Sequence, residues 1–158
     1  MARLPRSGCT VRTTLHLVGP SAWTPVPATL VYEMADPFAV RVRFGDDGRD
    51  EYEDGADGVE DGGVEWLLSR DLLRAGLTAP AGEGDVRLWP ARGGLDVVFL
   101  QLRAPSGEAL FEVSGAVVGE FLRETEMLVP QGAESGTLRV DEELSALLGG
   151  GTDNPSAF

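Results

Sequence analysis

The sequence has one cysteine, one histidine and no lysine among its 158 residues, and these shortages exclude several kinds of active site. A zinc site needs three or four clustered Cys, His or acidic ligands, which Cys9 and His16 cannot supply. Nucleophilic catalysis needs a base beside a serine or cysteine, but His16 lies in a predicted strand and no G-x-S-x-G segment occurs. The glycine-rich segment 82–85 lacks the spacing and the lysine of a phosphate-binding loop. Glu65 and Glu108 lie near strands, but nothing in the sequence pairs them for acid–base catalysis. We therefore expect no catalytic residue, cofactor or metal site, and no enzyme.

Long apolar runs are missing as well. No stretch approaches the roughly 20 apolar residues that span a bilayer, and no apolar segment of the secretory type follows Arg3 and Arg6. A single cysteine cannot form an internal disulfide, which fits a reducing compartment. We expect a cytoplasmic protein with no direct membrane insertion, in which Cys9 has no reactive role.

Positive charge is scarce, because the formal net charge is −13. The segment 45–62 holds nine acids and one base, which leaves −5 for the rest of the chain. Such a segment without periodicity is typical of a solvated loop. A calcium loop starting at Asp50 is disfavoured, because Tyr52 would occupy a ligand position and no helices flank the segment. The remaining acidic charge disfavours binding to a phosphate backbone.

The segment 32–44 is the clearest structural signal in the chain. Its hydrophobic side chains alternate with Ala and Arg, which is typical of a half-buried antiparallel strand. The hydrophobic positions are Phe38, Val40, Val42 and Phe44. Asp36 and Pro37 predict a turn before this strand, since Pro fixes φ and Asp can hydrogen-bond its own backbone two residues on. We expect a hairpin here, with Asp36 as a turn former and not a catalytic acid.

The same reasoning predicts about seven strands along the chain. They are residues 11–18, 28–34, 38–44, 63–68, 84–89, 95–103 and 108–113. Three prolines in 19–27 predict a loop there, and 78–83 is predicted to be a link rich in turns. The near-continuous apolar run 97–100 predicts a strand buried on both faces.

Three helices are predicted, each preceded by a capping side chain. Ser69 would cap a short helix that ends with Gly76 as its C′ residue, and Ser114 would cap a longer helix over 115–128. Asp141 would cap a third helix over 142–148. Mostly antiparallel strands with a few helices indicate an α+β fold. We expect one domain over residues 1–148, with the acidic insertion at 45–62 and a flexible tail at 149–158.

The three tryptophans are the predicted contact residues. Trp23 falls in the predicted loop, where it could cover an edge of the core or contact a partner. The first alternative is favoured there because Trp is well buried on average. Trp23, Trp66 and Trp89 are nevertheless the side chains that we predict to contact a partner or a second subunit.

Many short segments in one order resemble the SsgA-like proteins of actinomycetes. The resemblance covers about residues 11–148. Its segments are Pro25-Val26-Pro27, Tyr32, Ala35-Asp36-Pro37-Phe38-Ala39-Val40, Val64-Glu65-Trp66, Arg70-Asp71-Leu72-Leu73, Gly76-Leu77, Gly82, Gly84-Asp85-Val86-Arg87, Trp89-Pro90, Gly107-Glu108-Ala109-Leu110, Phe121-Leu122, Val129-Pro130, Asp141, Glu143 and Leu144.

The resemblance implies a fold like that of the whirly proteins, with packed antiparallel sheets, helices and assembly as a homotrimer. It implies a non-enzymatic adaptor, cytoplasmic and at the division septum, during sporulation. Its implied partners are FtsZ or the recruiters of FtsZ and other SsgA-like proteins, and its implied roles are septum-site localisation and control of septal peptidoglycan. The whirly-like architecture alone leaves single-stranded nucleic-acid binding as an alternative, although such binding requires a basic groove with aromatics.

Overall fold

Eight antiparallel strands form one sheet in the computed structural model of the chain, which describes residues 6–45, 64–136 and 146–148. The strands are β1 (Gly8–Val18), β2 (Trp23–Glu33), β3 (Ala39–Phe44), β4 (Glu65–Ser69), β5 (Ala81–Glu83), β6 (Val86–Pro90), β7 (Val97–Ala104) and β8 (Gly107–Ser114). Helix α1 (Arg70–Gly76) follows β4, and helix α2 (Gly115–Leu128) follows β8. The order across the sheet is β4-β3-β2-β1-β8-β7-β6-β5. The predicted α+β class is confirmed, with one strand more than the sequence predicts.

The sheet curls so that its two halves face each other. The rings of Phe44 on β3 and Phe111 on β8 stack with their centroids 4.9 Å apart. These strands are three positions apart in the sheet order, a separation of roughly 14 Å in a flat sheet. Helix α1, which follows the edge strand β4, also contacts β5 and β6 at the opposite edge. The apolar core therefore lies inside the curl.

Helix α2 contributes an apolar stripe to the core. Val118, Phe121 and Leu122 are buried, as the helical spacing predicts, and the helix contacts β1, β7 and β8. The side chain of Ser114 accepts a hydrogen bond from the N–H of Val117, and that of Ser69 accepts one from Leu72. The N-caps predicted at Ser69 and Ser114 are confirmed, whereas Asp141 lies outside the described residues.

Gly76 differs from its predicted role. It is the last residue of α1, and Leu77 occupies the cap position in a right-handed conformation. A Cβ atom added at Gly76 would lie 2.5 Å from the Cβ of Leu88 on β6. The position therefore requires glycine for close helix–sheet packing and not for a left-handed turn.

The predicted hairpin of β2 and β3 is present, with Ala28 opposite Phe44 and Val31 opposite Arg41. The N–H of Asp36 donates to the carbonyl of Glu33, and the carbonyl of Asp36 accepts from Ala39. Pro37 is fully buried. The interpretation of Phe38 was wrong, because the strand begins after it and its side chain is 43% exposed.

The predicted loop at 19–27 was wrong over most of its length, because β2 begins at Trp23 and pairs with β1 from there. The prolines are tolerated because β3 reaches only to the level of Ala28 in its ladder with β2. Among the described residues, no ladder forms on the β3 side of β2 from Trp23 to Pro27, so a missing N–H there removes no ladder bond. The carbonyl of Pro27 accepts from Gly45, which confirms that its backbone faces the side of β3.

Strands β5 and β7 also differ from the prediction. Residues 81–83 of the predicted link form β5, which pairs with β6 from Ala81 opposite Leu88 to Glu83 opposite Val86. On β7 only alternate residues are fully buried, and those between them are half-buried or exposed, so it is not buried on both faces. The buried ones are Val98, Leu100 and Leu102.

Three predictions fall on other parts of the chain. The acidic insertion after Gly45, the tail 149–158 and all but residues 146–148 of the third helix lie outside the described residues. Residues 146–148 are helical, and Leu147 and Leu148 are exposed there.

Candidate functional site

The three tryptophans lie at separate places on the sheet. Trp23 begins β2 opposite Val18 and is 50% exposed, so it is not a cover for the core. Trp66 on β4 and Trp89 on β6 are half-buried and line different clefts. The fold therefore does not join the three side chains into one contact surface, and the contact role of each stays a prediction.

Trp66 lines the apolar cleft, which opens between the two halves of the curled sheet. Its volume is about 420 Å³. One wall comes from β1 to β4 and the other from β7, β8 and the turn between them. The lining residues are Leu17, Val26, Phe44, Val64, Trp66, Leu102, Ala104, Ser106, Gly107, Glu108, Ala109 and Phe111.

The stacked rings of Phe44 and Phe111 belong to the wall of this cleft. Both side chains are more than 90% buried, whereas Val64 in the same lining is 55% exposed. The cleft therefore joins the rigid aromatic core to an exposed apolar surface, which is typical of a site where a protein or apolar ligand docks.

The two acids singled out in the sequence are paired with arginines on neighbouring strands. Glu65 on β4 accepts a hydrogen bond from Arg43 at 2.9 Å, and Glu108 on β8 accepts one from Arg103 at 2.7 Å. All four side chains are substantially exposed, so each pair contributes about 0–1 kcal/mol to stability. These contacts explain both acids as cross-strand charge partners.

Trp89 lies in a second cleft of different character, with a volume of about 490 Å³. Its ring stacks on Phe99 with centroids 5.8 Å apart. Arg87 and Gln101 also line this cleft, so its surface is more polar than that of the apolar cleft. The pair forms an aromatic surface on β6 and β7 with polar side chains around it.

The most unusual buried group is Arg70, whose burial no local sequence pattern indicates. Its side chain is 1% exposed. Its guanidinium donates to the carbonyl of Val129 at 2.7 Å and to that of Thr125 at 3.3 Å, and it pairs with Glu134. The contacts join the start of α1 to the end of α2 and to the segment after it.

Tyr32 connects this cluster to the Asp36-Pro37 turn. The guanidinium carbon of Arg70 lies 5.2 Å from the centroid of the Tyr32 ring, and the Tyr32 hydroxyl donates to the carbonyl of Pro37 at 3.0 Å. Burial raises the pKa of Tyr32 above its ordinary value, and Arg70 opposes that shift. Hydrogen bonding to Arg70 holds the pKa of Glu134 below its ordinary value. We name these residues the Arg70 cluster, and its geometry supports a structural role.

Cys9 and His16 both lie on β1. His16 is half-buried between Pro25 on β2 and Glu112 on β8, as expected of a structural histidine. Burial raises the pKa of the Cys9 thiol, and the charge of Glu124 raises it further. The reactive thiolate is therefore disfavoured at neutral pH.

The described part of the chain contains no group of three or more His, Cys, Asp or Glu side chains placed to hold a metal ion. Over the same residues, no helix has the length and apolar character needed to cross a membrane.

Residues 26–134 match the family described as "Streptomyces sporulation and cell division protein, SsgA". The chain belongs to the SsgA family. The matched range includes the apolar cleft residues from Val26 to Phe111 and the Arg70 cluster.

Curated relatives within the family match almost the whole chain. The sporulation-specific cell division protein SsgB of Frankia casuarinae is 44% identical over 146 residues, which are 91% of this chain and 94% of the relative. SsgB of Streptomyces coelicolor is 42% identical over 143 residues, covering 88% of this chain and 96% of that protein. A role in sporulation-associated cell division is therefore supported for the family to which this chain belongs.

Solved structures of the family share the fold. An SsgA-like sporulation-specific cell division protein from Thermobifida fusca aligns with a TM-score of 0.71 and 34% identity, over 91% of this chain and 99% of that one. A second structure, reported with mutations in SsgB that correlate to longitudinal cell division during sporulation of Streptomyces coelicolor, aligns with a TM-score of 0.66 and 39% identity, over 84% and 98%. The curled sheet is thus the fold of the family.

Proposed function

We propose that this protein is a non-enzymatic adaptor of sporulation-specific cell division, acting in septum-site localisation of the FtsZ ring and in control of septal peptidoglycan. The observation that carries the proposal is the match to proteins named sporulation-specific cell division protein SsgB over nine-tenths of both chains. An adaptor of this kind works by contact, so the relevant chemistry is that of an exposed docking surface.

The apolar cleft is the surface that best suits contact with a division protein. It combines a rigid aromatic wall with exposed Val64 and half-buried Trp66. Protein interfaces concentrate their binding energy in such aromatic and aliphatic anchors. The partners proposed are FtsZ or proteins that recruit it, and other SsgA-like proteins.

The proposal assigns the protein no catalytic step and no nucleic-acid partner. The acids near the cleft are neutralised by arginine, and the raised pKa of the Cys9 thiol disfavours a nucleophile. A net charge of −13 repels a phosphate backbone. Tight binding of single-stranded DNA or RNA at low salt in a mobility-shift assay would contradict this part of the proposal.

The deciding experiment follows a fluorescent fusion of the protein in a sporulating actinomycete that lacks its own copy. We expect cytoplasmic fluorescence that concentrates at septa, together with FtsZ rings at regular spacing. Fluorescence that never concentrates at septa, with normal FtsZ rings in the deletion strain, would overturn the proposal.

Two substitutions connect the experiment to the apolar cleft. Val64→Asp places a carboxylate in the cleft and should abolish septal localisation, because burying that charge against a partner is costly. Met127→Asp changes an 86% exposed apolar side chain on α2, outside the cleft lining, and should localise normally. Equal localisation of the two variants would remove the cleft from the proposal.

We also propose the homotrimer as the working assembly. Light scattering on the purified chain should give three times 16.8 kDa. A mass of 16.8 kDa at micromolar concentration would contradict the trimer and leave the division role open to the fusion experiment.

A further inference from the structure

The two edges of the sheet leave a gap between them. In the described residues, β4 pairs only with β3, and β5 pairs only with β6. Residues from β4 and from the β5–β6 hairpin line a shared cleft of about 290 Å³, which we name the edge gap. Helix α1 leads from β4 to the other side and contributes Leu72 to the lining. The curl thus brings two strand edges together without joining them by a ladder.

The open edge of β4 has backbone groups available for pairing. The N–H of Phe44 donates to Val64 and that of Arg70 donates to Phe38, so the even-numbered positions from 64 to 70 direct their backbone toward β3. Backbone direction alternates along a strand. The N–H and C=O groups of Glu65 and Leu67 therefore face away from β3 along the open edge of β4, where no described residue pairs with them. Leu67 also lines the edge gap.

The side chains of the edge gap set the chemistry of an occupant. Leu67 on β4 is 59% exposed, and the opposite wall carries the exposed carboxylates of Glu83 and Asp85. Neither carboxylate forms an ion pair with a described residue, and no described arginine lines the gap. The carbonyl of Asp85 accepts from the N–H of Arg103 at 2.9 Å, which fixes the hairpin tip in place.

We propose that the edge gap binds an extended segment of a partner protein in which basic and aliphatic side chains alternate. The segment adds to β4 as a further strand through the backbone groups of Glu65 and Leu67. One set of its side chains covers Leu67, and a lysine or arginine reaches Glu83 and Asp85.

The charges favour this partner over a second copy of the chain. The β4 edge of a second copy runs Glu65-Trp66-Leu67-Leu68-Ser69 and carries no basic residue, so it would bring no cation to Glu83 and Asp85. Carboxylates that a partner covers without supplying a cation cost free energy. A basic segment instead neutralises both carboxylates.

The test uses a fluorescein-labelled short peptide of alternating valine and lysine as the probe, with fluorescence polarisation as the measurement. The full-length protein should bind it, and the double variant Glu83→Lys and Asp85→Lys should bind at least about tenfold more weakly. A matched peptide with glutamate in place of lysine should bind the double variant more tightly than the unchanged protein. The control double variant Glu120→Lys and Glu124→Lys makes the same charge change at exposed positions on α2 and should bind the lysine peptide like the unchanged protein.

A backbone variant separates strand addition from general charge attraction. Leu67→Pro removes an N–H on the open edge of β4 and spares the ladder to β3, because proline is tolerated where the N–H faces away from the sheet. It should lose peptide binding while its circular dichroism spectrum is unchanged. Leu67→Ala keeps the N–H and should retain detectable binding, so loss in the proline variant alone identifies the backbone contact.

Three outcomes would overturn the inference. One is the absence of peptide binding, and another is equal weakening by the two charge-reversal pairs, which would indicate non-specific attraction. The third is loss of self-association in Leu67→Pro with no effect on the peptide, which would assign the edge gap to a second copy. The inference rests on the proposed adaptor function for its biological meaning only. Septal localisation can succeed while the peptide fails to bind, so the two failures are distinguishable.

Discussion

At the scale of single residues, Arg70 joins more parts of the fold than any local pattern in the sequence suggests. Its guanidinium reaches the end of α2 at Val129, the acid Glu134 and the ring of Tyr32. Arginine is rarely buried without partners, because removing its charge from water is costly. The Arg70 cluster therefore has a structural role, because its contacts hold α1, α2 and the Asp36-Pro37 turn together.

Arg70→Ala tests this structural role. Removing one partner of a buried pair leaves Glu134 buried and unpaired, which should lower the free energy of unfolding by about 3–5 kcal/mol. Urea denaturation measures the change. Arg123→Ala on the exposed face of α2 is the matched control and should change stability by no more than about 0.5 kcal/mol.

The pH dependence of stability tests the Glu134 half of the pair. The folded-state pKa of Glu134 lies below its ordinary value of 4.5. The stabilisation of the fold by the ionised Glu134 carboxylate is therefore fully present above pH 4.5. The contribution is lost as pH falls through the lowered folded-state pKa. Glu134→Gln should be less stable than the unchanged protein at pH 7 by about 1–3 kcal/mol.

The stability difference between the two proteins should narrow as the pH falls below 4.5. Urea denaturation at a series of pH values measures it. Glu120→Gln, at an exposed position on α2, is the control and should follow the unchanged protein at every pH. A stability difference between Glu134→Gln and the unchanged protein that stays the same at every pH would contradict the ion pair.

At the scale of elements, the sequence predicts α1, α2 and the hairpin well because their signals are local. The caps Ser69 and Ser114 act within three residues, and the Asp36-Pro37 turn is confined to one loop. Strand β2 is longer than predicted, because its prolines lie beyond the point where β3 stops pairing with it. The length of β3 is set by another part of the chain, so the sequence of β2 alone does not reveal that its prolines are tolerated.

Substitutions of Gly76 and Gly119, one in each helix, should have opposite effects on stability. Gly76→Ala would force a methyl group against the Cβ of Leu88 and should destabilise the protein by about 1–3 kcal/mol. Gly119→Ala meets no atom within 4 Å in the described structure and should stabilise α2 by about 0.5–1 kcal/mol. Thermal unfolding should show a lower melting temperature for Gly76→Ala and a higher one for Gly119→Ala. A stabilising effect of Gly76→Ala would contradict the close packing of α1 on β6.

At the scale of the whole molecule, the curl of the sheet creates the apolar cleft and the edge gap. The Phe44–Phe111 stack joins strands that are three positions apart in the sheet, and the same curl brings β4 toward the β5–β6 hairpin. Both surfaces share Trp66 in their lining, so a partner at one lies beside the other.

Phe111→Ala tests how strongly the stack holds the two halves together. The loss of a buried aromatic ring should cost about 3–5 kcal/mol, measured by urea denaturation. Phe38→Ala removes the same group from a 43% exposed position and serves as the control, with a much smaller expected loss. Similar losses for both would show that the stack does not hold the curl.

The sequence by itself determined the mostly antiparallel α+β class, the hairpin around Asp36, both N-caps and the family resemblance. Each depends on residues close together in the chain, or on short segments in a fixed order. Only the tertiary structure decided the burial of Arg70, the paired state of Glu65 and Glu108, the exposure of Trp23, the apolar cleft and the edge gap. These properties depend on contacts between distant segments, such as Arg70 with Glu134. The pattern of hydrophobic residues along the sequence does not specify which distant residues come into contact. Those contacts form only when the sheet curls.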